Sequence, residues 1–179
     1  VGVIFMVARY GFATQALKKV IEEHGLMSYI SYVAEMINSW GDRIIIPIDV
    51  AIDINGSRID VDIYSISSDI MDVGLTSMRK FSNTIKSSKA VIVCGPLGYV
   101  EDEKYAMGTR SIIEESLKLG KYVIISGGHT IMIARRTGLA DRVHHISTGG
   151  RAFLSALSRS KLPALEALEI STRKFWVRK

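Results

Sequence analysis

A single cysteine, three prolines and two tryptophans in 179 residues set the first limits on this chain. Cys94 alone rules out an internal disulfide and any cysteine-cluster zinc site. It ends an apolar run, so a buried, inert thiol is expected rather than a nucleophile, which needs a lowered pKa. Few prolines together with 47% apolar residues exclude a disordered chain and indicate a globular one. No apolar run approaches the about 20 residues a membrane helix requires. No charged leader precedes a short apolar segment with a cleavage site. A soluble, cytoplasmic protein without a membrane partner is the expectation. The length suits one domain over residues 1–179.

The net charge of +5 is unevenly placed. From Arg151 onward seven basic residues face only Glu166 and Glu169, so the chain before Arg151 is balanced. No aromatic platform or groove-reading helix accompanies the basic tail, which reads as a solvated surface and not as a nucleic-acid site.

Strand and helix signals alternate over most of the chain. Val1 to Ala8 is apolar throughout, and periodicity alone assigns it neither to strand nor to helix. Ala16, Leu17, Val20 and Ile21 recur at helical spacing before Gly25, and Ile30, Val33, Ile37 and Trp40 form a second stripe. Arg43 to Val50, with three consecutive isoleucines, reads as a buried strand. Ala51 to Ser65 alternates around Asn55-Gly56 as a hairpin does, and Ile70 to Val73 is a further strand. Thr76 is placed to cap a helix carrying Met78, Phe81 and Ile85. Strands are expected at 90–94, 122–125 and 143–146, with helices between them and a last one turning Ala152, Phe153, Ala156 and Leu157 inward. His144 and His145 fall on opposite faces of their strand, one packed and one exposed, which excludes a shared metal site. This pattern predicts an α/β fold, three-layer α/β/α, around a mainly parallel sheet.

The three later strands each run into glycine: Gly95-Pro96-Leu97-Gly98, Gly127-Gly128-His129-Thr130, and Gly149-Gly150 after Ser147-Thr148. Parallel strands that end in glycine turns on one edge form a ligand crevice there, and a helix starting at such a turn offers free N–H groups to an anion. A phosphate site is therefore predicted around Gly127 to Thr130. A spacing of G-x-G-x-x-G with a downstream ribose acid, as dinucleotide-binding domains carry, is missing.

These turns belong to a longer ordered set. Pro47-Ile48-Asp49-Val50, Asp72-Val73-Gly74, Gly95 through Glu101, Gly108-Thr109, Gly127 through Thr130, Gly138 through Asp141, Ser147 through Gly150, and Leu162 through Leu168 follow one another in a spacing that resembles the C-terminal domain of phosphoglycerate kinase. The resemblance spans nearly the whole chain, and the ending Ala167 to Ser171 looks like the archaeal-type branch. It implies a lobe that binds ADP or ATP with Mg²⁺, whose phosphoglycerate partner site lies in an N-terminal lobe that these residues do not include. It implies a helix at Val1 to Ala8. It implies a nucleoside pocket formed by Gly74, Gly95, Pro96 and Gly98, ribose hydroxyls on Glu101, and phosphates on Gly127, Gly128, His129 and Thr130. Gly127 and Gly128, with Gly149 and Gly150, would line the place where the phosphoryl group crosses. A nucleotide-binding or regulatory module without transfer is the alternative. Departures from the family pattern are His129 for a metal-placing aspartate, Ser126 for a glycine, Arg151 for a third glycine, Cys94 for asparagine, and Leu75 after Gly74. With His129 in that position, no protein metal ligand is expected.

Overall fold

Three helices open the structure, a computed structural model that describes residues 2–12 and 14–176. They are α1 (Gly2–Tyr10), α2 (Gln15–Glu23) and α3 (Ile30–Trp40). The apolar run at the start is thus helical, as the resemblance implies, although Val1 itself lies outside the described residues. Ile4, Val7, Leu17, Ile21, Val33 and Ile37 pack with Val50 and Ile52 from the strands that follow. Thr14 caps α2 by accepting the Leu17 N–H at 3.3 Å. Trp40 departs from its predicted inward stripe: it is 55% exposed, with the Arg43 guanidinium 5.9 Å from its ring centre.

The predicted strand at Arg43 to Val50 does not form. A 3-10 turn occupies Gly41–Arg43, and the first ladder begins only at Asp49, in β1 (Asp49–Ile54). Pro47 has no N–H to give a ladder, and Ile46 is already buried in the helical core. β1 pairs antiparallel with β2 (Ser57–Asp62) and with β3 (Ile70–Val73), in the order β2-β1-β3. Asn55 and Gly56 both take positive φ, the conformation a two-residue hairpin turn demands.

The rest alternates helix and strand. α4 (Leu75–Ser87), β4 (Ala90–Cys94), α5 (Met107–Lys118), β5 (Tyr122–Ser126), α6 (Gly128–Arg136), β6 (His145–Ser147), α7 (Gly150–Leu157) and α8 (Pro163–Phe175) follow in order. β4, β5 and β6 form a three-stranded parallel sheet flanked by helices, with β5 central. Val93, Val123 and Ile125 of that sheet bury themselves against Ile113 of α5 and Ile131 and Ala134 of α6. The fold is α/β, with the antiparallel β1–β3 unit as a second sheet beside the parallel one.

Edge positions account for two corrections. Cys94 is exposed, not buried, because β4 lies at one edge of its sheet. β6 is the other edge and begins at His145 rather than Val143. Both histidines are exposed there, with the His144 ring 4.5 Å from that of Tyr122 and its Nδ1 accepting the Val123 N–H at 3.1 Å. A third correction concerns α7, where the predicted inward face is uncovered. Among the described residues α7 and α8 have no buried side chain, and Leu157 is 52% exposed. Apolar spacing says which face of a helix seeks cover, not whether cover is present.

Helix α4 starts one residue before the predicted Thr76 cap and is capped from far away in sequence. The Asp49 carboxylate accepts the Thr76 N–H at 2.8 Å and the Ser77 N–H at 2.7 Å, while Asp60 accepts the Leu75 N–H at 2.8 Å. These are orphan donors of a helix N-terminus, where negative charge is favoured. A second buried carboxylate, Asp72, accepts from Arg58 Nη1, Gly108 N and Val73 N at 2.8 to 2.9 Å. Arg58 also donates to the carbonyls of Lys104 and Val73, which ties the hairpin to the segment preceding α5.

Two measurements follow from these carboxylates. Burial pushes Asp49 up, but the hydrogen bonds from Ser77 and Thr76 outweigh it and leave the group below its ordinary 3.8. Its stabilising contribution is therefore complete above pH about 5 and is lost as pH falls through the lowered folded value. Asp49→Asn should cost about 2 kcal/mol at pH 7 by denaturant unfolding, with the gap to the unmodified chain narrowing in acid. The second measurement concerns Gly98. A Cβ there would collide with the Tyr105 carbonyl and the Asp72 carboxyl, so Gly98→Ala should destabilise the chain by about 2 kcal/mol or more.

Candidate functional site

Register brings three strand ends into one row. Cys94 pairs with Ser126, and Ser126 with Ser147, so the turns after β4, β5 and β6 leave the sheet side by side at its C-terminal edge. The Gly95 N–H donates to the Ser126 carbonyl at 3.4 Å and to Thr130 Oγ1 at 3.1 Å. The Gly127 N–H donates to the Ser147 carbonyl at 3.3 Å. Gly127 holds φ +90°, which an L side chain rarely adopts. A Cβ on Gly150 would stand 3.4 Å from Gly127 Cα, so the two turns lie within van der Waals reach of one another.

Both α6 and α7 begin in this corner. Their N-caps are Gly127 and Gly149, and neither receives a side-chain cap. The first internal bonds run from Ile131 N to Gly127 O at 3.0 Å and from Phe153 N to Gly149 O at 2.7 Å. The preceding amides, those of Gly128, His129 and Thr130 in α6 and of Gly150, Arg151 and Ala152 in α7, have no acceptor within their own helices. Two helix N-termini in one place carry partial positive charge and suit an anion with several oxygens.

Side chains at this corner sort by burial. Thr130 is fully buried and its hydroxyl is committed to Gly95, so it faces a ligand through its backbone. Ser126, where the family pattern has glycine, is also fully buried, and its hydroxyl donates to the Ser147 carbonyl at 3.3 Å. That departure is absorbed by the sheet. His129 and Arg151 are exposed. Among the described residues no group of three His, Cys, Asp or Glu could hold a metal, and an imidazole at position 129 is a poor partner for Mg²⁺.

The loop after β4 extends the site away from the phosphate corner. Pro96, Leu97, Gly98 and Tyr99 line a cavity of about 350 Å³ with Met71 and Val73, and a second groove of about 490 Å³ runs along β4 past Cys94, Gly95 and Leu97. Both volumes fall in the range of small-molecule sites. The loop is held at several points: Leu97 N–H on Thr109 Oγ1 at 2.9 Å, Tyr99 N–H on Met71 O at 2.6 Å, and the Val100 carbonyl on Arg136 Nη2 at 2.9 Å. Glu101 is exposed, and its Oε2 accepts the Tyr99 hydroxyl at 2.6 Å. This carboxylate holds the Tyr99 phenol above its ordinary 10.0.

The predicted residues therefore divide. Gly95, Gly127, Gly128, His129, Thr130, Gly149 and Gly150 meet at one sheet edge, and exposed Pro96 follows Gly95. Gly74 is buried at the start of α4, where a Cβ would run into the Asp49 carboxyl. Packing alone thus requires glycine at 74 and at 98. Sequence reasoning gave no role to Tyr99 and Thr109, which it placed only within the family-like set, and did not single out Arg58. Of these only Tyr99 left a signal, a phenol two residues from a candidate ligand carboxylate.

Comparison with known proteins bears on the family and the fold. Residues 1–160 match the family model for phosphoglycerate kinase. A phosphoglycerate kinase of Pyrobaculum aerophilum is 39% identical over 175 residues, 98% of this chain and 42% of the relative. One from Saccharolobus solfataricus is 39% identical over 86% of this chain and 38% of its own length. The crystal structure of phosphoglycerate kinase from Pyrococcus horikoshii superposes with a TM-score of 0.85 at 28% identity, covering 98% of this chain and 44% of that one. The chain spans less than half the length of each of these relatives. On the match of most of its length to the family, the chain belongs to the phosphoglycerate kinases.

Proposed function

We propose that these residues form the nucleotide-binding part of a phosphotransferase that moves a phosphoryl group reversibly between 1,3-bisphosphoglycerate and ADP, giving 3-phosphoglycerate and ATP in glycolysis and gluconeogenesis. The observation that carries this reading is the meeting of the Gly95, Gly127 and Gly150 turns at two uncapped helix N-termini. Phosphoryl transfer asks little covalent chemistry of a protein; it needs the phosphates held in line and their charge neutralised. The amides of Gly128, His129, Thr130 and Gly150 supply that hold. Gly127, Gly128, Gly149 and Gly150 leave room for the group in transit, and Glu101 accepts from the ribose hydroxyls. Mg²⁺ enters as part of the nucleotide complex. Exposed Arg151, in the first turn of α7, adds positive charge near the transferred group.

Binding without transfer is the second reading. ADP titration by calorimetry, with a coupled assay for ATP formation from 1,3-bisphosphoglycerate, separates the two. ADP binding with turnover supports the kinase; binding without turnover supports the module; neither overturns both. Under either reading Glu101→Ala should weaken ADP about 10-fold or more, the worth of a hydrogen bond to a charged group. Unchanged affinity removes Glu101 from the site.

A further inference from the structure

Glu101 is exposed, and an exposed carboxylate on a flexible stem ordinarily samples several rotamers. Lys104, the closest cation along the chain, does not restrain it, because its ammonium lies 3.4 Å from both Asp53 and Asp102. The restraint comes instead from Tyr99, whose hydroxyl donates to Glu101 Oε2 at 2.6 Å. Tyr99 is anchored through its backbone: its N–H donates to the Met71 carbonyl of β3 at 2.6 Å, and the residue is one of those lining the loop cavity. Tyr99 as a whole is 47% exposed, so the bond between its hydroxyl and Glu101 lies at the surface of the loop. One carboxylate oxygen of Glu101 is thus occupied and its plane set, while Oε1 remains open to accept two neighbouring hydroxyls.

We propose that Tyr99 is a positioning residue for ribose recognition: it orients Glu101 so that the carboxylate meets the 2′ and 3′ hydroxyls of the nucleotide without first having to be ordered. This rests on the nucleotide reading above and adds to it a residue to which the family resemblance gave no role. The phenol itself touches no substrate. Its effect is transmitted through Glu101 and disappears wherever the ribose hydroxyls or the carboxylate are missing.

Those dependences make the test. Tyr99→Phe keeps the ring and the backbone bond to Met71 and removes only the hydroxyl. Calorimetric titration of the full chain with ADP and with 2′,3′-dideoxy-ADP is run for the unmodified protein, Tyr99→Phe, Glu101→Ala and the double variant, with unfolding midpoints measured alongside. The expected result is about fivefold weaker ADP binding in Tyr99→Phe, the scale of ordering one side chain on binding. Dideoxy-ADP affinity should not change, and Tyr99→Phe should cause no further loss in the Glu101→Ala background. An equal loss for both nucleotides would mark a merely structural role and overturn the proposal. Unchanged or tighter ADP binding in Tyr99→Phe would overturn it as well, while leaving the nucleotide reading intact. Failure of the unmodified chain to bind ADP would instead remove the nucleotide reading, and this inference with it.

Discussion

Gly127 and Gly150 lie so close that a Cβ on Gly150 would stand in van der Waals contact with Gly127 Cα, and the candidate site is built on that approach. Cross-strand neighbours in a parallel sheet lie about 4.8 Å apart, so turns that leave adjacent strands at the same level are already close. With β4, β5 and β6 in register through Cys94, Ser126 and Ser147, α6 and α7 start side by side. Each helix brings a first turn of unpaired amides. Of the two glycines, Gly127 is the one a side chain would strain, because it holds φ +90°.

Beyond this corner the structure uses carboxylates, two of them buried, to hold segments that the short parallel sheet does not reach. Asp49 and Asp60 close the start of α4, while Asp72 with Arg58 joins the hairpin to β3 and α5. Removing one partner from such an arrangement leaves a buried charge or donor unpaired, which costs more than the bond contributes. Hence two of the glycines assigned to the nucleoside pocket, Gly74 and Gly98, have a reason to be glycine that involves no ligand. Their backbones pass against Asp49 and Asp72.

Much of this was legible beforehand, for local reasons. Asn55-Gly56 announces its hairpin because few other residues accept positive φ twice in succession. The glycine turns after β4, β5 and β6 announce a crevice because they follow three apolar runs in the same way. What stayed hidden depends on partners distant in sequence. That Asp49 rather than Thr76 caps α4 is a contact across 27 residues or more. The exposure of Cys94 and of both histidines depends on which strands become sheet edges, and a lone strand does not reveal its place in the order. The three isoleucines before Pro47 have the composition of a strand, yet Ile46 is drawn into the helical core. The Tyr99 to Glu101 bond needs the loop geometry that Met71 and Arg136 impose.

The central claim is that the amides at the C-terminal edge of the parallel sheet receive a polyphosphate. Following backbone amide resonances by NMR during titration with Mg-ADP addresses it residue by residue. The account predicts that the largest shifts fall on Gly95, Gly128, His129, Thr130 and Gly150, with Glu101 following. Shifts confined to the basic helix α8, or none on those amides at saturation, would contradict it.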